Sequence, residues 1–115
     1  MTVNDLSPSE ILFIKAEDAI CRASAWQPAT KESLKAELAV DERTVRRLIS
    51  ELRARGLQIC SNSTTKGYWR AATEEEYKHT RAELVHRLKE IAKIVIAMDQ
   101  GKPATDEQID EHVRL

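Results

Sequence analysis

Glycine is scarce in this chain, with three in 115 residues. That is too few for the glycine-rich loop that cradles a nucleotide phosphate. Aromatic residues make up only 4%, so each is expected to have a definite packing task. The two cysteines, Cys21 and Cys60, show no C-x-x-C spacing and stand beside no histidine pair. They are expected to be thiols in a reducing cytoplasm. No apolar run approaches the ~20 residues that span a bilayer. The amino terminus lacks the basic region and apolar core of a signal peptide, so the expected location is the cytoplasm. Histidines 79, 86 and 112 have no cysteine or carboxylate spacing that completes a metal site. There is no Ser/His/Asp arrangement and no paired-carboxylate signature. The sequence therefore predicts no enzyme, no cofactor and no metal.

What the chain does have is charge, unevenly distributed. Charged residues are 32% of the sequence, yet the net charge is −1. From Pro28 to Ala72 there are nine Lys/Arg against five Asp/Glu, a segment of +4 that leaves −5 for the remainder. Such an imbalance is expected where one surface meets a polyanion and the rest does not.

Helix signals divide the first 72 residues. Ser7-Pro8-Ser9-Glu10 combines an N-cap, a proline at the first helical position and a capping-box glutamate. It predicts a helix running to about Ser24, with Ile11, Leu12, Ile14, Ala16, Ala19, Ile20 and Ala23 as a broad apolar face and Phe13 at its edge. Pro28 favours a short extended piece at Pro28-Ala29. Thr30 caps a second helix, Lys31 to Leu38, with Leu34 and Leu38 turned inward. Ala39-Val40 is a turn without the usual glycine, and Asp41 caps a third helix that reaches Arg55. Two helices joined by about three residues, the second opening on a capping Asp, form the helix-turn-helix pattern.

In the third helix Val45, Leu48, Ile49 and Leu52 share one face at helical spacing. At roughly 100° per residue the opposite stripe is Arg43, Arg47, Ser50 and Ala54. Gly56 ends the helix. Leu57 to Cys60 reads as a strand, Ser61 to Gly67 as a polar turn, and Tyr68 to Ala71 as the returning strand, together a two-stranded wing. Adjacent strand residues face opposite sides. Core packing is thus the first expectation for Tyr68 and Trp69, with base stacking on Trp69 a minor one.

A helix with such a stripe can enter the major groove of B-DNA, where Arg can bind guanine bidentately. Arg43, Arg47 and Ser50 are the expected base contacts. Lys31, Lys35, Thr44, Arg46, Arg53, Lys66 and Arg70 are the expected phosphate contacts. The bland reading is a solvated charged helix, in which Arg46 and Arg53 pair with Glu42 or Glu51.

Thr73-Glu74-Glu75-Glu76 is a further capping box that opens a long helix to about Asp99. Tyr77, Arg81, Leu84, Leu88, Ile91, Val95 and Met98 alternate at spacings of four and three, a seam broken only by Arg81. This helix either folds back over its own domain or pairs with a second copy. The seam favours a homodimer through Tyr77, Leu84, Leu88, Ile91, Val95 and Met98, which would present two recognition helices to half-sites related by a two-fold axis. The expected organisation is a DNA-binding domain over 1–72, the long helix over 73–100, and a polar tail over 101–115. That tail is either a short helix opened by Thr105-Asp106-Glu107-Gln108 or disordered.

Leu34, Leu38, the run Val40-Asp41-Glu42-Arg43-Thr44-Val45-Arg46-Arg47, Ile49, Leu52 and the Arg55-Gly56-Leu57 exit resemble the winged helix-turn-helix of bacterial transcriptional regulators of the DeoR and biotin-repressor type. The resemblance covers about Thr30 to Ala71, and no ligand-binding domain follows. The small size, the Gly67-Tyr68-Trp69 strand and the single long helix also resemble winged-helix proteins of bacteriophages and prophages. The resemblance implies a mainly α (α+β) winged helix-turn-helix fold. It also implies sequence-specific binding of double-stranded DNA, in transcription regulation or a phage DNA transaction. The competing expectation is a winged-helix protein–protein interaction module that binds no DNA.

Overall fold

The structure is a computed structural model that describes residues 6–62 and 66–115. Among these are five helices and three short strands: α1 (Pro8–Cys21), β1 (Ala29–Thr30), α2 (Lys31–Leu38), α3 (Glu42–Ala54), β2 (Ile59–Ser61), β3 (Gly67–Arg70), α4 (Glu74–Gln100) and α5 (Asp106–His112). The class is α+β, mainly helical. The chain divides into two compact units, Met1–Tyr77 and Lys78–Leu115.

In the first unit α1 opens as its sequence requires. Ser7 Oγ accepts the Glu10 N–H at 3.1 Å and the Glu10 carboxylate accepts the Ser7 N–H at 3.2 Å. The expected end at Ser24 is not reached, and the helix stops at Cys21. Ser24 and Gln27 exchange backbone hydrogen bonds at 3.1 Å each, and Ser24 Oγ accepts the Gln27 N–H at 3.0 Å. A local serine turn has outcompeted the next helical turn. The inward face of α1 is also narrower than expected. Ala16, Ala19 and Ile20 are buried with Leu12 and Phe13 packed beside them, whereas Ile14 is 53% exposed.

The α2–α3 turn lacks glycine, so Ala39 itself takes the left-handed conformation, at φ 55° and ψ 49°. Such a backbone costs an L-residue roughly 1–2 kcal/mol. Burial of Leu34, Leu38, Val45, Leu48, Ile49 and Leu52 on either side outweighs that cost, at about 1.5–3 kcal/mol for each fully buried side chain. Gly56, at φ 102°, turns the chain out of α3 while the Leu57 N–H returns to the Leu52 carbonyl at 3.0 Å. Leu57 is thereby spent on the helix exit, and β2 begins at Ile59 rather than at Leu57.

The expected two-stranded wing is a three-stranded antiparallel sheet in the order β1-β3-β2. The extra strand is the extended piece near Pro28, which pairs Ala29 with Tyr68 and Thr30 with Gly67. Gly67 makes this possible, since a Cβ there would lie 2.5 Å from Pro28 Cβ and 2.8 Å from Pro28 Cγ. Ile59 belongs to the core shared by α1, α2 and α3, and Tyr68 packs against it. Trp69 alternates to the other face, pairs in register with the buried Cys60, and donates its indole N–H to the Glu76 carboxylate. That use of Glu76 alters the expected capping box. Thr73 Oγ1 accepts the Glu76 N–H at 3.2 Å, but the carboxylate goes to Trp69 and the Thr73 hydroxyl.

The second unit is the rest of α4 with α5. Gly101, at φ 69°, ends α4. The tail beyond it is a short helix with a complete capping box between Thr105 and Gln108. Ile96 and Ile109 are buried. Gln100 and Gln108 exchange side-chain amide hydrogen bonds at 3.2 and 2.9 Å, and Lys89 pairs with Asp110 at 3.4 Å. No helix among the described residues is long and apolar enough to cross a membrane.

Candidate nucleic-acid interface

The outward face of α3 is the most distinctive surface of the first unit. Its four inward residues are all buried, so the helix cannot rotate without exposing them. Arg43, Arg47 and Ser50 are therefore held outward, and all three are exposed. The helix start is fixed by Asp41, whose Oδ1 accepts the Thr44 N–H at 2.8 Å. Hydrogen bonds from the Thr44 side chain and backbone, with the charge of Arg43 nearby, hold the Asp41 carboxyl below its usual range. Thr44 is half-buried and engaged with the cap.

Glu42 organises the cations around the helix start. Its Oε1 accepts from Lys31 Nζ on α2 and from Arg46 Nη2 one turn along α3, both at 2.9 Å. The hydrogen bond and charge of Lys31, then Arg46, hold the Glu42 carboxyl below its ordinary value. Lys31, Glu42 and Arg46 form one cluster of net +1 that spans α2 and α3. Lys35 pairs more loosely with Glu32, at 3.6 Å.

Arg53 is more deeply committed. Its Nε and Nη2 donate to the Ile59 carbonyl at 3.1 and 2.9 Å, and Nη2 reaches Ser61 Oγ at 3.3 Å. The side chain expected at phosphate instead fastens the end of α3 to β2. Arg55 lies over the Phe13 ring, 4.1 Å from its centroid, a cation–π contact between α3's exit and α1.

Four of the expected contact cations remain: Arg43, Arg47, Lys66 and Arg70. No ion pair among the described residues engages them. Lys66 precedes β3, Arg70 is its last residue, and both are exposed. Lys66 has φ 51°, and its N–H donates to the Asn62 carbonyl at 3.2 Å. Ser63, Thr64 and Thr65, the expected tip of that wing, lie outside the described residues. The outward stripe of α3 thus presents two guanidiniums and a hydroxyl, Arg43, Arg47 and Ser50, donors suited to phosphate oxygens and to acceptor atoms on base edges.

Base stacking on Trp69 does not survive the fold, because the ring is 5% exposed and its N–H is bound to Glu76. The exposed tryptophan is Trp26, 96% accessible on the turn between α1 and β1. Sequence assigns it no role, and its one signal is its place in a polar turn just before Pro28. On α4 the expected dimer residues Leu84, Leu88, Ile91, Val95 and Met98 are all exposed, while Tyr77 is half-buried and belongs to the first unit. Among the described residues no cluster of His, Cys, Asp or Glu could hold a metal ion. Comparison with protein-family models, curated proteins and solved structures finds no match to this chain.

Proposed function

We propose that the chain is a winged helix-turn-helix protein that binds double-stranded DNA sequence-specifically, with α3 as the major-groove helix. Arg43, Arg47 and Ser50 read base edges, and Lys66 and Arg70 meet phosphates from the wing. Lys31 and Arg46 set the pitch of α3 through Glu42 and contribute a net charge of +1 beside the groove. Arg53 positions the wing. A homodimer through the exposed seam of α4 doubles the contact, and the role is transcription regulation or a phage DNA transaction.

One observation carries this reading. The surrounding cations are committed to carboxylates or carbonyls, while the two arginines at the centre of the outward stripe are not. An arginine held outward by a buried opposite face is pre-organised for a bidentate contact. The test is selection of bound duplexes from random DNA, followed by titration of Arg47→Ala. Loss of a bidentate base contact is worth about 1–3 kcal/mol, roughly 5- to 150-fold, on the preferred site, and less on random DNA. Equal loss on both reassigns Arg47 to phosphate.

The second reading, a protein–protein module without DNA binding, draws on Trp26. A tryptophan 96% exposed is the residue type that anchors protein interfaces. Trp26→Ala that leaves DNA affinity intact favours DNA as the α3 partner.

A further inference from the structure

We infer that α4 pairs with α4 of a second copy in antiparallel orientation, with Leu88 against the partner's Ile91. This rests on reading α4 as the pairing helix and adds the direction and register of the pair. The seam Leu84, Leu88, Ile91, Val95 and Met98 is 39–77% exposed, a continuous apolar stripe on a charged helix. Within its own unit, α5 does not cover it. The α5 contacts run through Ile96, Gln100 and Lys89, which lie round the helix from the stripe.

Charge then decides direction. In a parallel pair the same residue meets itself at each core position. Arg81 would lie against Arg81 of the partner subunit. In an antiparallel pair centred between Lys89 and Glu90, each core residue meets one from the other end of the seam. Arg81 faces the partner's Met98, where its aliphatic stem packs and its guanidinium reaches water. Leu84 faces the partner's Val95. Along one flank Lys78 meets Asp99 of the partner subunit at both ends, and Val85 meets the partner's Ala92 in the middle. Antiparallel pairing thus removes one like-charge contact at the core and gains two opposite-charge contacts at the rim.

The test uses the full chain with the exposed Cys21 changed to Ser, carrying either Leu84→Cys or Val95→Cys. Both positions are exposed in one copy, so neither change disturbs the fold. A disulfide needs Cα atoms about 4.4–6.8 Å apart. The antiparallel register holds positions 84 and 95 together across the pair. It separates position 84 from its own copy by 11 residues, roughly 16 Å along the axis. Oxidation should therefore cross-link a mixture of the two variants and leave each alone uncoupled. Self-coupling of Leu84→Cys would establish parallel pairing and overturn the inference while leaving pairing intact. A monomer by sedimentation of the unmodified chain would overturn both pairing and direction, and would leave DNA binding by α3 to its own titration. Nitroxides at His79→Cys, outside the seam, give a second readout. The antiparallel pair sets them about 31 Å apart along the axis, and a short distance contradicts it.

Discussion

Replacing Arg53 by alanine removes two donors from the Ile59 carbonyl, at 3.1 and 2.9 Å, and one from Ser61 Oγ at 3.3 Å. Ile59 is buried at the start of β2, so its carbonyl has little water to turn to. A hydrogen bond to a charged donor contributes about 1.5–3 kcal/mol. The two donors share one acceptor, and the side chain is only partly buried, so the net loss is about 2 kcal/mol. For a folded unit of this size each kcal/mol moves Tm by about 4–8 °C. Arg53→Ala should lower the melting temperature of the first unit by roughly 8–16 °C, followed by circular dichroism. Arg53→Lys should recover only part of this, because one ammonium cannot reproduce the planar fork. A phosphate contact would behave differently. Its loss leaves Tm nearly unchanged and reduces the slope of log affinity against log salt by about one. That second pattern would refute the assignment of Arg53 to fastening β2 against the end of α3.

Two further outcomes follow from local geometry. Gly67→Ala drives a Cβ to 2.5 Å from Pro28 and should destabilise by about 1–3 kcal/mol in denaturant unfolding through overpacking; a change below about 0.5 kcal/mol would contradict the close β1–β3 approach. Asp41 and Glu42 have carboxyl groups held below their usual values. The stabilisation they give is present above the unfolded-state values and is lost as pH falls through the lowered folded-state values. The Thr44 amide should therefore lose hydrogen-exchange protection below about pH 4, and protection unchanged to about pH 2 would count against the cap.

The parts of this fold that obey local rules were legible in the sequence. Ser7 with Glu10, Thr30 and Asp41 each cap a helix where the spacing predicts, because a cap is decided within about four residues, and at Thr105 the short helix is formed, one of the two alternatives open from sequence. The inward face of α3 was readable from periodicity alone. What was missed depends on distant neighbours. β1 exists because Tyr68 and Gly67 return beside it from nearly forty residues away. Arg53 looked like its neighbours on the helix, and only the arrival of the Ile59 carbonyl separates it from Arg47. The pairing of Glu42 with Arg46 one turn along is readable from spacing, whereas its contact with Lys31 depends on how α2 packs. The α4 seam was visible as a pattern, and the structure adds that its residues are uncovered and that α5 occupies another side. The capping box at Thr73 was right in position and altered in chemistry, since Trp69 takes the carboxylate.

A salt series of binding titrations decides whether the outward face of α3 meets DNA. Arg43, Arg47, Lys66 and Arg70 are the expected contact cations that no ion pair among the described residues engages. With Lys66, Arg70 and the net charge of +1 from Lys31, Glu42 and Arg46 at phosphates, the slope of log affinity against log salt should lie between roughly −2 and −3 for each bound copy. Arg43→Ala and Arg47→Ala should each weaken binding at every salt concentration. Absence of binding at about 50 mM salt, or an affinity indifferent to salt, would contradict the account and leave the protein-binding reading in its place.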